Sequence, residues 1–176
     1  MDKDNIEYNI SADRKYVFLI ASRTYDTFVL DTDYWNTLVT HKYSVMYPEN
    51  WTLNEAETDS LPRIVHLDSP DGAAIWEVQL HDAGVDATEI LDAGLKTLRE
   101  TYPDLEVSTT ASEFDGAEQP AYEALFFCLD FLIRVKLQTL VTPDHLLVFW
   151  YQAEDRHFDE IEMVFQAIST SLRQSL

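Results

Sequence analysis

The stretch from Ala121 to Ala153 constrains this chain more than any other. It is dense in β-branched and aromatic residues, too long for one ordinary strand, and interrupted at Thr142-Pro143-Asp144, whose residues favour a reversal. It therefore reads as three consecutive strands. In the middle one, Ile133, Val135 and Leu137 alternate with Arg134, Lys136 and Gln138, the two-residue period of a strand with one apolar face. The third, Leu146-Leu147-Val148-Phe149-Trp150-Tyr151, is apolar on both faces, as expected of a central strand covered on each side.

The remaining elements supply the cover. Asp86 can cap a helix in which Leu91, Leu95, Leu98 and Tyr102 form one apolar stripe, ended by Pro103, with Glu89 placed to reach back to the cap. Phe158, Ile161, Phe165, Ile168 and Leu172 mark a second helix, begun at Asp155 or a neighbour. Short strands are expected at Tyr16–Ile20, Thr27–Leu30, Tyr43–Pro48, Ile64–Leu67 and Ala74–Leu80, and a weak one at Val107–Ala111. Asp31-Thr32-Asp33, Asp68–Gly72 and the acidic segment Glu113–Pro120 read as turns. Parallel strand–helix–strand alternation is absent. The expectation is an α+β fold, a mainly antiparallel β-sheet packed by two or more helices as an α/β/α sandwich. The 176 residues contain no repeat and no linker, which predicts one domain over residues 1–176.

Charge narrows the partners. There are 12 basic against 32 acidic side chains, a formal net charge of -20, and between Tyr43 and Ile133 only Arg63, Lys96 and Arg99 are basic, histidine aside. Such a surface repels phosphate backbones and anionic headgroups, so nucleic acid and acidic membranes are disfavoured while basic or apolar partners remain open. No stretch reaches the roughly 18 apolar residues of a membrane span, and Met1-Asp2-Lys3-Asp4-Asn5 lacks the basic-then-apolar layout of a secretory signal, so no membrane insertion and a cytoplasmic location are expected. The single cysteine, Cys128, lies in the run Leu125-Phe126-Phe127-Cys128-Leu129 and reads as a buried, inert thiol.

The segment Tyr43-Ser44-Val45-Met46-Tyr47-Pro48-Glu49-Asn50-Trp51 resembles the strand, proline and tryptophan signature that opens the Mog1/PsbP-like superfamily. The order that follows, from Tyr43 to Leu172, is similar to that family's as well, while residues 1–42 lie outside its pattern. The resemblance implies non-catalytic binding proteins, among them a photosystem extrinsic subunit, a Ran-GTPase-binding protein and adaptors for secreted bacterial effectors. It offers no shared catalytic residue to carry over. Physically, Pro48 has no N–H to donate and ends the strand, and Trp51 can fold back over the end of the sheet.

Chemistry-bearing motifs are scarce. Gly72, Gly84, Gly94 and Gly116 are too far apart for a phosphate-binding loop, and no Gly-x-Ser-x-Gly elbow is present. The histidines, His41, His66, His81, His145 and His157, form no metal-binding pair, and Asp31, Asp33, Asp68 and Asp71 lack the spacing of a calcium loop. No catalytic residue, cofactor or metal is therefore assigned. The aromatic residues stand out instead. Trp51, Trp76, Trp150 and Tyr47 are the candidate interaction surface, an apolar sheet face rimmed by acid that suits a basic or amphipathic protein segment. The expected function is a non-enzymatic interaction or adaptor domain. The alternatives are a small-ligand binder or hydrolase with a site assembled from dispersed Asp, Glu, His and Tyr residues, and a subunit that serves mainly in an oligomer.

Overall fold

A computed structural model describes residues 6–10, 16–21, 27–31, 35–39, 43–55, 60–114 and 117–176. The chain forms two compact units, Met1–Trp51 with Met163–Leu176, and Thr52–Glu162. In the second unit a seven-stranded sheet runs through β6 (Thr52–Glu55), β7 (Arg63–Asp68), β8 (Ala74–Asp82), β9 (Glu106–Phe114), β10 (Ala117–Cys128), β11 (Phe131–Val141) and β12 (His145–Glu154). Its spatial order is β6-β7-β8-β12-β11-β10-β9, every pair antiparallel. The doubly apolar segment at Leu146–Tyr151 lies on β12, the middle strand of the seven, where both faces need cover.

The helix α1 (Ala87–Thr101) begins where expected: Asp86 accepts from the backbone N–H groups of Thr88 and Glu89, at 2.8 and 3.3 Å. Its stripe of Leu91, Leu95 and Leu98 packs on one face of the sheet with Ala124, Phe126, Val135, Leu137, Leu146 and Val148. On β11 the alternate residues, Arg134 and Lys136, point to the other face. There they meet the first half of α2 (Asp155–Arg173): Arg134 pairs with Asp155 and Asp159, and Lys136 with Glu162 at 2.7 Å. Helical cover on both faces of one antiparallel sheet makes this an α+β sandwich. Cross-strand register stacks Trp76 against Tyr151, Val78 against Phe149 and Leu80 against Leu147, all buried, on the face of Arg134 and Lys136. Each such side chain contributes about 2–3 kcal/mol of burial.

In the other unit, β1 (Ile6–Ile10), β2 (Tyr16–Ala21) and β3 (Thr27–Asp31) form a three-stranded antiparallel sheet, and β4 (Trp35–Val39) pairs with β5 (Ser44–Pro48). Pro48 does end its strand. The chain then turns, with Trp51 N–H donating to Pro48 O at 3.0 Å, and the Trp51 ring meets Phe165 of α2 edge-on at 6.1 Å. Periodicity had not marked β1, β4 or β6, which span only four or five residues each.

Two local readings are corrected. Glu113–Pro120 is not a turn throughout, because β9 runs on to Phe114 and β10 already begins at Ala117; residues 115–116 lie outside the described residues. Pro120 is tolerated because it lies just outside the stretch, starting at Ala121, over which β10 is paired on both sides. Cys128 is part-exposed rather than buried, since it closes the β10–β11 hairpin opposite Phe131 at the end of the sheet. The expected turn at Asp31-Thr32-Asp33 lies, beyond Asp31, outside the described residues.

Candidate interaction surface

The four aromatic side chains singled out by sequence occupy different environments. Trp76 has no exposed surface and stacks across strands with Tyr151 and beside Phe149, so its ring is core and offers no accessible face. Trp51 is 8% exposed, covered where it meets Phe165. Trp150 is part-buried: it packs along the α1 core and its indole N–H donates to Gln152 Oε1 at 3.2 Å. Tyr47 is part-buried on β5. The period-2 pattern put Trp76, Val78 and Leu80 correctly on one face, but a strand pattern does not tell a face covered by protein from a face left open.

Apolar surface is exposed elsewhere, at the tip of the β10–β11 hairpin. Phe127 is 70% exposed, Leu129 89% and Phe131 48%. The connection is two residues long, Leu129-Asp130, between the closing pair Cys128 and Phe131. Leu129 takes a φ of 54°, in the left-handed region that two-residue hairpin turns require and that glycine or asparagine normally fills. A leucine there costs roughly 1–2 kcal/mol, and with most of its surface in water it recovers little by burial. The base beneath is firm. Tyr102, just past α1, stacks on Phe126 with ring centres 4.0 Å apart, and its hydroxyl donates to Cys128 Sγ at 3.7 Å. That hydrogen bond and burial push the Tyr102 phenol above its usual range.

The sequence carried a signal for this tip. Leu125 to Phe131 is apolar at every position but Asp130 and contains no Gly, Asn or Pro, so hydrophobicity continues through the residues where the chain must reverse.

A second cluster lies on the α1 side of the sheet, over β6, β7 and β8. Here His66 contacts Glu77 Oε2 through Nδ1 at 3.1 Å and Asp68 Oδ1 through Nε2 at 3.0 Å. Asn54 Nδ2 donates to the other Asp68 oxygen at 3.0 Å, and Gln79 Nε2 to the other Glu77 oxygen at 2.9 Å. The Glu77 hydrogen bond raises the His66 pKa above its ordinary 6.5, with Asp68 adding to it against the opposing effect of burial. Burial works to raise Glu77, but hydrogen bonds from His66 and Gln79 outweigh it and hold the carboxyl below its usual 4.5. Neither His66 nitrogen is left for a substrate. Among the described residues no three His, Cys, Asp or Glu side chains converge as a metal-ligand set. Nor is any described helix long and apolar enough to cross a membrane.

No protein-family model and no curated protein sequence matches the chain. Solved structures do. The chain is similar to the solution structure of cyanobacterial PsbP (CyanoP) from Synechocystis sp. PCC 6803, at 14% identity and a TM-score of 0.56, over 78% of this chain and 90% of that one. It is also similar to a protein from Bacteroides thetaiotaomicron VPI-5482, at 12% identity and a TM-score of 0.50, over 77% of this chain and 47% of that one. At these identities the likeness is one of fold.

Proposed function

Starting from a PsbP-like fold, we propose that this chain is a non-enzymatic docking module that inserts the β10–β11 hairpin tip into an apolar pocket of a protein partner. The observation that carries the reading is Leu129: a large apolar side chain, 89% exposed, in a hairpin turn and in a backbone conformation that disfavours it. Strain of this kind persists where something other than the stability of the isolated fold rewards it. Phe127 and Phe131 flank it as secondary anchors, and the stacked Tyr102–Phe126 pair keeps the hairpin rigid, which lowers the ordering cost of binding. With a net charge of -20 and Asp130 in the turn itself, the complementary pocket is rimmed by Lys and Arg. The resemblance to Mog1/PsbP-like binding proteins supports the same reading.

Affinity capture from the source cell, run with the wild-type chain and Leu129→Asp side by side, tests it. The expected result is a protein retained by the wild type and lost with the variant, whose fold is checked by circular dichroism. Identical captures from both chains would sink the reading. So would wild-type co-sedimentation with zwitterionic phosphatidylcholine vesicles that the Leu129→Asp change abolishes, because the tip would then be a membrane anchor.

A further inference from the structure

One end of the seven-stranded sheet is tied by side chains as well as by backbone ladders. The β6 end is a strand of only four residues, and the side chains over it form one continuous chain of hydrogen bonds, Asn54–Asp68–His66–Glu77–Gln79, crossing from β6 through β7 to β8. Register places Asn54 opposite His66, and His66 opposite Glu77, so the cluster sits directly over the two ladders that attach this end. Both oxygens of each carboxylate are engaged, one by His66 and the other by an amide.

From this geometry we propose that His66 is a proton-operated clasp that ties β6 and β7 to β8 while the imidazole carries two protons, and loosens that edge when one is lost. Only an imidazolium can donate from both nitrogens at once; a neutral ring turns a lone pair toward a carboxylate about 3 Å away. The titratable groups facing His66 are Asp68 on its own strand and Glu77 on β8, while β6 presents the neutral Asn54. With both partners anionic, losing the proton leaves two carboxylates and no cation between them.

The pH window follows from the two shifts. Because the folded pKa of His66 is raised, its contribution is complete below 6.5 and is lost as pH rises through the folded value, above 6.5. Because that of Glu77 is lowered, its contribution is complete above 4.5 and is lost as pH falls through the folded value, below 4.5. The clasp is therefore tightest between 4.5 and 6.5 and opens on the alkaline side. That makes pairing along the β6 edge a function of pH above 6.5, independently of the hairpin tip.

Amide hydrogen exchange, corrected for intrinsic rates and read across pH 5 to 9, tests the clasp together with an NMR titration of the His66 ring. Protection in β6 and β7 should fall about three- to tenfold as pH rises, with a midpoint that follows the His66 titration, while β10 and β11 stay unchanged. His66→Gln should abolish the pH dependence, and Glu77→Gln should move the His66 midpoint down. A His66 ring titrating at or below 6.5, or the same pH dependence in His66→Gln as in the wild type, would overturn the proposal. Should His66→Gln fail to fold, the Glu77→Gln midpoint decides: no downward shift rejects the clasp.

Discussion

Ser171 Oγ accepts the backbone N–H of Met46 at 2.8 Å while donating to Ile168 O one turn back in its own helix. Four residues on, Ser175 Oγ accepts the N–H of Ser44 at 2.8 Å. Ser171 lies in the last turn of α2 and Ser175 in the turn just past it; four residues at helical rise span about 6.0 Å and two residues of strand about 6.6 Å, so the two hydroxyls match alternate N–H groups along β5. The outer edge of β5 is met at Met46 and Ser44 by the end of α2 and the turn after it rather than by another strand.

Ser171→Ala follows from this relationship. It leaves the buried Met46 N–H without its partner and should destabilise the chain by about 1–3 kcal/mol in urea denaturation. Ser175→Ala, at a part-buried site that water can reach, should cost clearly less. Equal costs would mean that burial does not set the penalty.

Arg134 holds the other half of the same helix. Its Nε donates to Asp155 Oδ1 at 2.7 Å, Nη1 reaches Asp159 at 3.0 Å, and the guanidinium lies 5.1 Å from the centre of the Phe158 ring. Arg134→Met keeps the apolar stem and removes the charge. The expected loss is about 1–3 kcal/mol, measured by urea denaturation at pH 7.

Gly94 lies within α1, where a β-carbon would meet Leu137 Cδ1 and Trp150 Cζ3 at 3.9 Å, ordinary contact distance. Glycine inside a helix costs about 1 kcal/mol relative to alanine. Gly94→Ala should accordingly stabilise the chain by about 0.5–1 kcal/mol, read as a higher urea midpoint at unchanged slope.

Leu129→Gly should separate stability from binding. Relief of the left-handed conformation offsets the entropy glycine adds to the unfolded chain, so stability should hold or rise by up to about 1 kcal/mol. Loss of stability beyond about 1 kcal/mol in thermal melts would show that Leu129 packs against the fold and is not held for a partner.

Much of the architecture is legible in local pattern. The stripe Leu91, Leu95, Leu98 and the Asp86 cap locate α1, and the doubly apolar Leu146–Tyr151 segment falls on the middle strand, because burial on one face or on two imposes periods of 3.6 and 2 or removes the period altogether. The surface was less legible. Trp76 and Leu129 are both large apolar residues, yet one is fully buried and the other 89% exposed. Composition gives them equal weight. Only the absence of Gly, Asn and Pro between Leu125 and Phe131 hinted at the difference.

The sequence by itself determined both helices, the longer strands and their order, the acidic balance and the strand-ending role of Pro48, since each depends on neighbours within a few residues or on composition alone. Tertiary structure decided which face of each strand is covered, that His66 lies between Asp68 and Glu77, and that Ser171 meets Met46 across 125 positions of chain. The physical reason is that hydrogen bonds and burial act over a few ångströms in space. A chain that reverses at every strand brings together residues whose separation in sequence carries no trace of their contact.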